Sequence, residues 1–100
     1  MTEFSLSSTV VSQDGEPLYS YEYAARVTET STVLVERFAE LGLIEPIGVM
    51  LHQRDITRIV QILRLRRDLG LNLVGAAMVL DMAQEIAQLR AQVQAYQSMK

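Results

Sequence analysis

A chain of 100 residues, 49% of them apolar, has the length and composition of one folded domain with its own core. Its net charge of -3 and pI near 5.0 argue against a constitutive nucleic-acid binder, whose docking face is normally basic. The absence of cysteine excludes disulfides and thiolate chemistry. The N-terminus MTEFSLSSTVV lacks a positive segment followed by an apolar run, so no signal peptide is expected. No stretch of about 18 residues is free of polar side chains, so no membrane span is expected and a cytoplasmic location is the default.

Residues 1–18 read as an N-terminal arm, partly extended or disordered. Phe4, Leu6, Thr9, Val10 and Val11 favour short extended pieces, and Asp14-Gly15 followed by Pro17 signals a turn. Ser20 is a candidate N-cap for a short helix from Tyr21 to about Val27, with Glu22 suited to its positive end. Tyr21, Ala24, Ala25 and Val27 are its candidate buried residues. A polar turn, Thr28 to Ser31, leads to a second helix from Thr32 to Leu41. Val33, Leu34, Phe38 and Leu41 form its expected apolar stripe, and Gly42 stops it. Two short helices joined by a tight polar turn make a helix-turn-helix candidate.

Leu43 to Leu51 places Pro46 and Gly48 between apolar residues, the pattern of a small β-hairpin or wing. A third helix is expected to open between His52 and Asp55 and run to Leu69, with Ile56, Ile59, Val60, Leu63 and Leu69 inward and Gly70 as its stop. Asn72 caps the last helix, which continues to about Ser98. These elements give a mainly α chain. Residues 19–72 form a winged helix-turn-helix-like domain, and residues 73–100 a coiled-coil dimerisation helix.

That last helix carries apolar residues at Val79, Met82, Ile86, Leu89, Val93 and Tyr96, spaced 3, 4, 3, 4 and 3 apart. This is the a/d stripe of a helix built to pair with another helix. Gln84, Gln88, Gln92, Gln94 and Gln97 read as its solvated outer face, at positions b, c and f. Three partners suit the stripe: the chain's own helices, a hetero-partner helix, or a second copy. The preferred reading is a homodimer through an antiparallel coiled coil.

The segments LVERFAELGLIEP (34–46) and DITRIVQILRLRRDLGLNLVGAAMVLDMAQEIAQLR (55–90) carry a family resemblance. Together with the order helix-turn-helix, wing, helix, long helix, they resemble the MerR-type winged helix-turn-helix superfamily. Within it the chain is most similar to the chaperone modulatory protein family, CbpM. The similarity runs colinearly from about Tyr19 to Arg90, and LRLRRDLGLNLVGAAMVLDMA (63–83) is its most specific element. The arm before Tyr19 departs from the family. The resemblance implies a dimer that binds the J-domain of a DnaJ-like (CbpA-type) Hsp40 co-chaperone and inhibits its co-chaperone and DNA-binding activities.

The residue chemistry can be weighed beside that implication. A DNA-binding repressor of this type needs bases on its second helix and wing. From Tyr19 to Leu51 the chain has Glu22, Glu29, Glu36, Glu40 and Glu45 against Arg26 and Arg37, and residues 47–51 carry no charge. An acidic face of Glu29, Glu36, Glu40 and Glu45 suits a basic protein partner; the plain alternative is an ordinary solvated surface. A DNA-binding MerR-type regulator, with Arg26, Arg37, Arg54 and Arg58 lining a groove, is the alternative function.

Arg64, Arg66 and Arg67 read as a solvated helix face, with Arg64 or Arg67 pairing to Asp68 or the long helix. Asp81 pairs with an arginine of the preceding helix or belongs to the partner surface. His52, the one histidine, reads as a strand-end or capping residue with no carboxylate at ligand spacing. Gly70 reads as a helix stop and Gly75 as a site of close helix packing. No nucleophile and base pair can be assembled, so no catalytic residue, metal or cofactor is expected.

Overall fold

In a computed structural model that describes residues 11–99, the chain first reverses at Asp14-Gly15, as its turn chemistry dictates. Ser12 N–H donates to the Glu16 carbonyl at 2.8 Å and Gly15 N–H to the Ser12 carbonyl at 3.0 Å, and Gly15 takes φ 87. Val11 bridges antiparallel to Pro17 across this turn. The extended segment and the disorder expected over residues 1–10 lie outside the described residues.

Strand β1 (Tyr19–Ser20) runs directly into helix α1 (Tyr21–Val27). The Ser20 hydroxyl accepts the Tyr23 N–H at 3.0 Å and so caps the helix. Helix α2 (Thr32–Glu40) starts the same way, with the Ser31 hydroxyl accepting Leu34 N–H at 3.1 Å. It ends in a complete Schellman motif. Gly42, at φ 74, lets its N–H reach the Ala39 carbonyl at 3.0 Å and the Leu43 N–H reach the Phe38 carbonyl at 2.9 Å. Helix α3 (Gln53–Leu69) follows strand β2 (Met50–Leu51), and helix α4 (Leu73–Ser98) closes the chain. Asn72 Oδ1 accepts the Gly75 N–H at 2.7 Å and starts α4. The architecture is mainly helical, with one small antiparallel sheet and a long terminal helix, as the sequence predicts.

The sheet is built differently from the expected hairpin over Leu43 to Leu51. Ile47 and Met50 exchange two backbone hydrogen bonds, at 2.9 and 3.0 Å, around Gly48, which sits at φ 60. That bridge is the whole of the wing's internal pairing. Strand β2 instead pairs antiparallel with β1, Tyr19 opposite Leu51 and Ser20 opposite Met50. Pro46 has no N–H to donate, which ends any ladder on the first arm of the wing.

Two compact units are present, residues 1–61 and residues 62–100, with α3 continuous through the boundary. In the first, Leu18, Ala24, Ala25, Val35, Phe38, Leu43, Ile44, Leu51, Ile56 and Ile59 are buried. In the second, Ile62, Ala76, Ala77 and Leu80 are buried. The inward side of α2 is Val35 and Phe38, with Leu34 half-buried. Val33 is 72% exposed and Leu41 is exposed, contrary to the expected stripe. Val33 falls about 100° per residue away from the Val35–Phe38 side, on the face of Glu36 and Arg37. Val27 and Leu69, placed inward by the sequence pattern, sit at helix ends and are exposed, whereas Ile62 is fully buried. Among the described residues no single helix is long and apolar enough to cross a membrane.

Candidate partner-binding surfaces

The outward side of α2 follows from what its inward side buries. With Val35 and Phe38 committed to the core, Val33, Glu36, Arg37, Glu40 and Leu41 share the opposite side at three- and four-residue spacing, and all five are exposed. Glu36 and Glu40 are neighbours at i and i+4, a like-charge arrangement that weakens a helix by a few tenths of a kcal/mol. Among the described residues neither forms an ion pair, and neither does Arg37.

Glu29 and Glu45 flank this helix in sequence, and both are exposed. Glu29 holds the turn between α1 and α2 at φ 59, where an L-residue with a Cβ is strained. Around it Glu29 N–H reaches the Arg26 carbonyl at 3.2 Å and Thr30 N–H the Ala25 carbonyl at 2.8 Å, so Glu29 occupies the place usually given to glycine. The structure therefore places Glu36 and Glu40 on one face, Glu29 in the turn before it and Glu45 in the loop after it. Among the described residues no hydrogen bond joins the side chains of Glu29 or Glu45 to that pair.

The loop holding Glu45 and the wing is fixed from below by Asp55, which the sequence pattern did not single out. The Asp55 carboxylate accepts Glu45 N–H at 3.2 Å and His52 N–H at 2.9 Å, and lies 3.1 Å from His52 Nδ1. Both side chains are buried. The His52 carbonyl in turn accepts Asp55 N–H at 3.1 Å and Ile56 N–H at 3.3 Å, so His52 is the N-cap residue of α3. The acid three positions into the helix reaches back to the cap N–H, one half of a capping box. The spacing H-x-x-D at a strand-to-helix junction is the signal that finds it. The expected capping role of His52 holds, but a carboxylate does lie within its reach. Arg58 Nε adds a bond to the Leu43 carbonyl at 2.5 Å.

Tyr21 stands close enough to this acidic ground to feel it. Its phenol is pushed above its ordinary value, first by burial and then by Glu36 and Asp55. The wing tip is apolar and open: Val49 is 78% exposed and Ile47 is exposed. Among the bases, Arg26, Arg37, Arg64 and Arg66 are exposed, Arg54 lies 3.7 Å from Glu16, and Arg67 pairs with Asp68 at 3.5 Å as the sequence suggested.

Helix α4 changes character along its length. Ala76, Ala77 and Leu80 are buried and Val79 half-buried, but every residue from 81 to 98 is exposed. Met82, at 58%, Ile86, Leu89, Val93 and Tyr96, at 64%, form a continuous exposed apolar stripe. With Val79, Ile86 and Val93 at a and Met82, Leu89 and Tyr96 at d, Gln92 falls at g and Gln97 at e. These two glutamines border the seam and do not belong to the outer face assigned above. Gly75 also differs from expectation. A Cβ there would meet Asn72 Oδ1 at 3.2 Å and Leu71 Cβ at 3.7 Å, so its bareness makes room for the cap of its own helix.

Among known families, the model described as MerR HTH family regulatory protein aligns with residues 22–97. No solved structure matches the chain.

Proposed function

The chain belongs to the MerR helix-turn-helix family of regulatory proteins, and we propose that within it the chain is a chaperone modulator of the CbpM type. In this reading it is a cytoplasmic, non-enzymatic homodimer with no cofactor. It docks the J-domain of a DnaJ-like Hsp40 co-chaperone and suppresses that partner's co-chaperone and DNA-binding activities. The observation that carries the reading is the outward face of α2, where a duplex-binding protein needs bases. Glu36 and Glu40 stand there unpaired beside a single base, Arg37, and the nearby wing tip offers Ile47 and Val49.

Phosphate contacts supply most of the affinity of a protein for duplex DNA, so this face repels a duplex. A J-domain, by contrast, presents a basic helix to Hsp70. Acidic side chains steer such a helix in, while exposed apolar neighbours such as Val33 and Leu41 supply anchoring area. Occupying the basic helix denies it to Hsp70, which accounts for inhibition without any chemistry.

The test is calorimetric titration against isolated J-domains from the same organism. The expected result is binding that weakens with salt and is lost on Glu36→Lys with Glu40→Lys. No binding to any J-domain at tens of micromolar would refute the proposal. The family match itself favours a second reading, a MerR-type transcriptional regulator acting through Arg26, Arg37, Arg54 and Arg58. It requires a mobility shift with DNA upstream of the protein's own gene and a steep salt dependence.

A further inference from the structure

We infer that the cleft beside His52 is a binding site for a primary alkylammonium group, the head of a lysine side chain or of a free aliphatic amine. The inference does not depend on the docking face proposed above. The cleft, of about 840 Å³, lies between the turn at Asp14 and the loop that carries Glu45. Buried Leu18 and half-buried Pro46 line it, with exposed Val11 and Ile47.

His52 lines this cleft too, and its side chain is only 6% exposed. One of its two ring nitrogens is already committed. Nδ1 lies 3.1 Å from the Asp55 carboxylate, which also accepts the backbone N–H groups of His52 and Glu45. Asp55 acts as an acceptor throughout, so Nδ1 is the donor; the bonding network assigns this tautomer. In the neutral ring Nε2 then carries a bare lone pair. Among the described residues no hydrogen bond satisfies it. A buried acceptor without a partner costs free energy, and a ligand that brings an N–H to it recovers that cost.

The charge around the cleft selects a cation. Asp14 and Glu45 line it, and neither forms an ion pair among the described residues. Arg54 is the base that lines it, and its guanidinium lies 3.7 Å from Glu16, so its charge is already answered. The Asp14 carboxyl is held below the ordinary carboxylate range, first by the Ser12 hydroxyl and then by its own backbone N–H, so it is ionised at neutral pH. An ammonium brings three donors and one positive charge to a lone pair and two carboxylates. Its alkyl stem lies on the apolar walls, as lysine stems cover apolar surface elsewhere. A guanidinium's planar fork suits one carboxylate taken edge-on, and not acceptors on separate side chains. A metal ion fits less well, because no cluster of three His, Cys, Asp or Glu ligands exists among the described residues.

His52 is the only histidine of the chain, so its ring nitrogens give unambiguous NMR signals in the isotope-labelled full-length protein. The titrants are n-pentylammonium chloride, a lysine capped at both ends, and tetramethylammonium chloride, at matched ionic strength and neutral pH. The two primary amines are expected to move the Nε2 signal with half-saturation near about 1 mM. Tetramethylammonium, which has the charge and no N–H, is expected to leave it in place. Asp14→Asn and Glu45→Gln, both at exposed positions, are each expected to weaken the response about threefold. A response to both amines supports the site and shows that a free amine suffices. A response to capped lysine alone supports it and assigns the occupant to a protein's lysine side chain. An Nε2 signal that ignores both amines up to roughly 10 mM, or that answers tetramethylammonium equally, overturns the inference and leaves the J-domain reading untouched.

Discussion

Asp55 offers the sharpest test of how the wing is held. Its carboxylate serves three donors, the N–H of His52, the His52 ring and the N–H of Glu45, at 2.9, 3.1 and 3.2 Å, from a site only 4% exposed. Asp55→Ala leaves the two His52 donors buried without an acceptor, while the part-buried Glu45 N–H turns to water. An orphaned buried donor costs about 1–3 kcal/mol, so the expected loss for two is about 2–6 kcal/mol. That is a large share of the roughly 5–15 kcal/mol that holds such a domain folded, and it corresponds to a fall in Tm of roughly 15 °C. Asp55→Asn keeps one acceptor oxygen and should recover about half. The assay is urea unfolding followed by circular dichroism, at one fixed protomer concentration because association adds to apparent stability. A loss under about 0.5 kcal/mol for Asp55→Ala would show that the three bonds do not hold the wing and that the reasoning is wrong.

Three further outcomes are expected. Glu29→Gly relieves the positive φ at the helix-turn-helix turn and should raise stability by about 0.5–1 kcal/mol in the same unfolding assay, while weakening partner binding if Glu29 belongs to the docking face. Asn72→Ala removes the acceptor of the Gly75 N–H and should cost about 1 kcal/mol, read as faster amide exchange in the first turn of α4. Tyr21, whose phenol is pushed up first by burial and then by Glu36 and Asp55, should ionise above the ordinary tyrosine range in an ultraviolet titration. Because its folded value is the higher one, the stability it contributes is complete below about pH 10 and is lost as pH rises through the folded value. Tyr21→Phe should flatten that alkaline decline, and an unchanged decline would count against the assignment.

Local signals were enough to place the helices. Ser20, Ser31 and Asn72 cap where their side chains say they should, and Gly42 and Gly70 sit at positive φ just past the helices they end. Which side of each helix faces inward was harder. On α2 the apolar residues Val33, Leu34, Val35, Phe38 and Leu41 span most of the circumference, and only the packing of the first unit selects Val35 and Phe38. The β1–β2 pairing is two residues long and joins segments 30 apart, a non-local contact that no local pattern announces. The acidic residues were readable as a group, but their arrangement was not, since the turn and loop that hold Glu29 and Glu45 depend on backbone geometry. Asp55 was hidden because a buried carboxylate among arginines and isoleucines looks like any charged position of an amphipathic helix until its two backbone donors are seen.

The abrupt change at residue 81 has a consequence for how long a single copy survives. Beyond that point every described residue of α4 is exposed, and the helix leans on the propensity of its Ala, Gln, Leu and Met residues. A single copy released from the proposed homodimer by dilution should therefore open from the C-terminal end and offer an unprotected chain to proteases, while a paired copy should not. Limited proteolysis across a dilution series would display this as cleavage that begins near the C-terminus and fades as concentration rises. In the proposed homodimer, the amount of protein that persists would then follow how much is assembled and not merely how much is made.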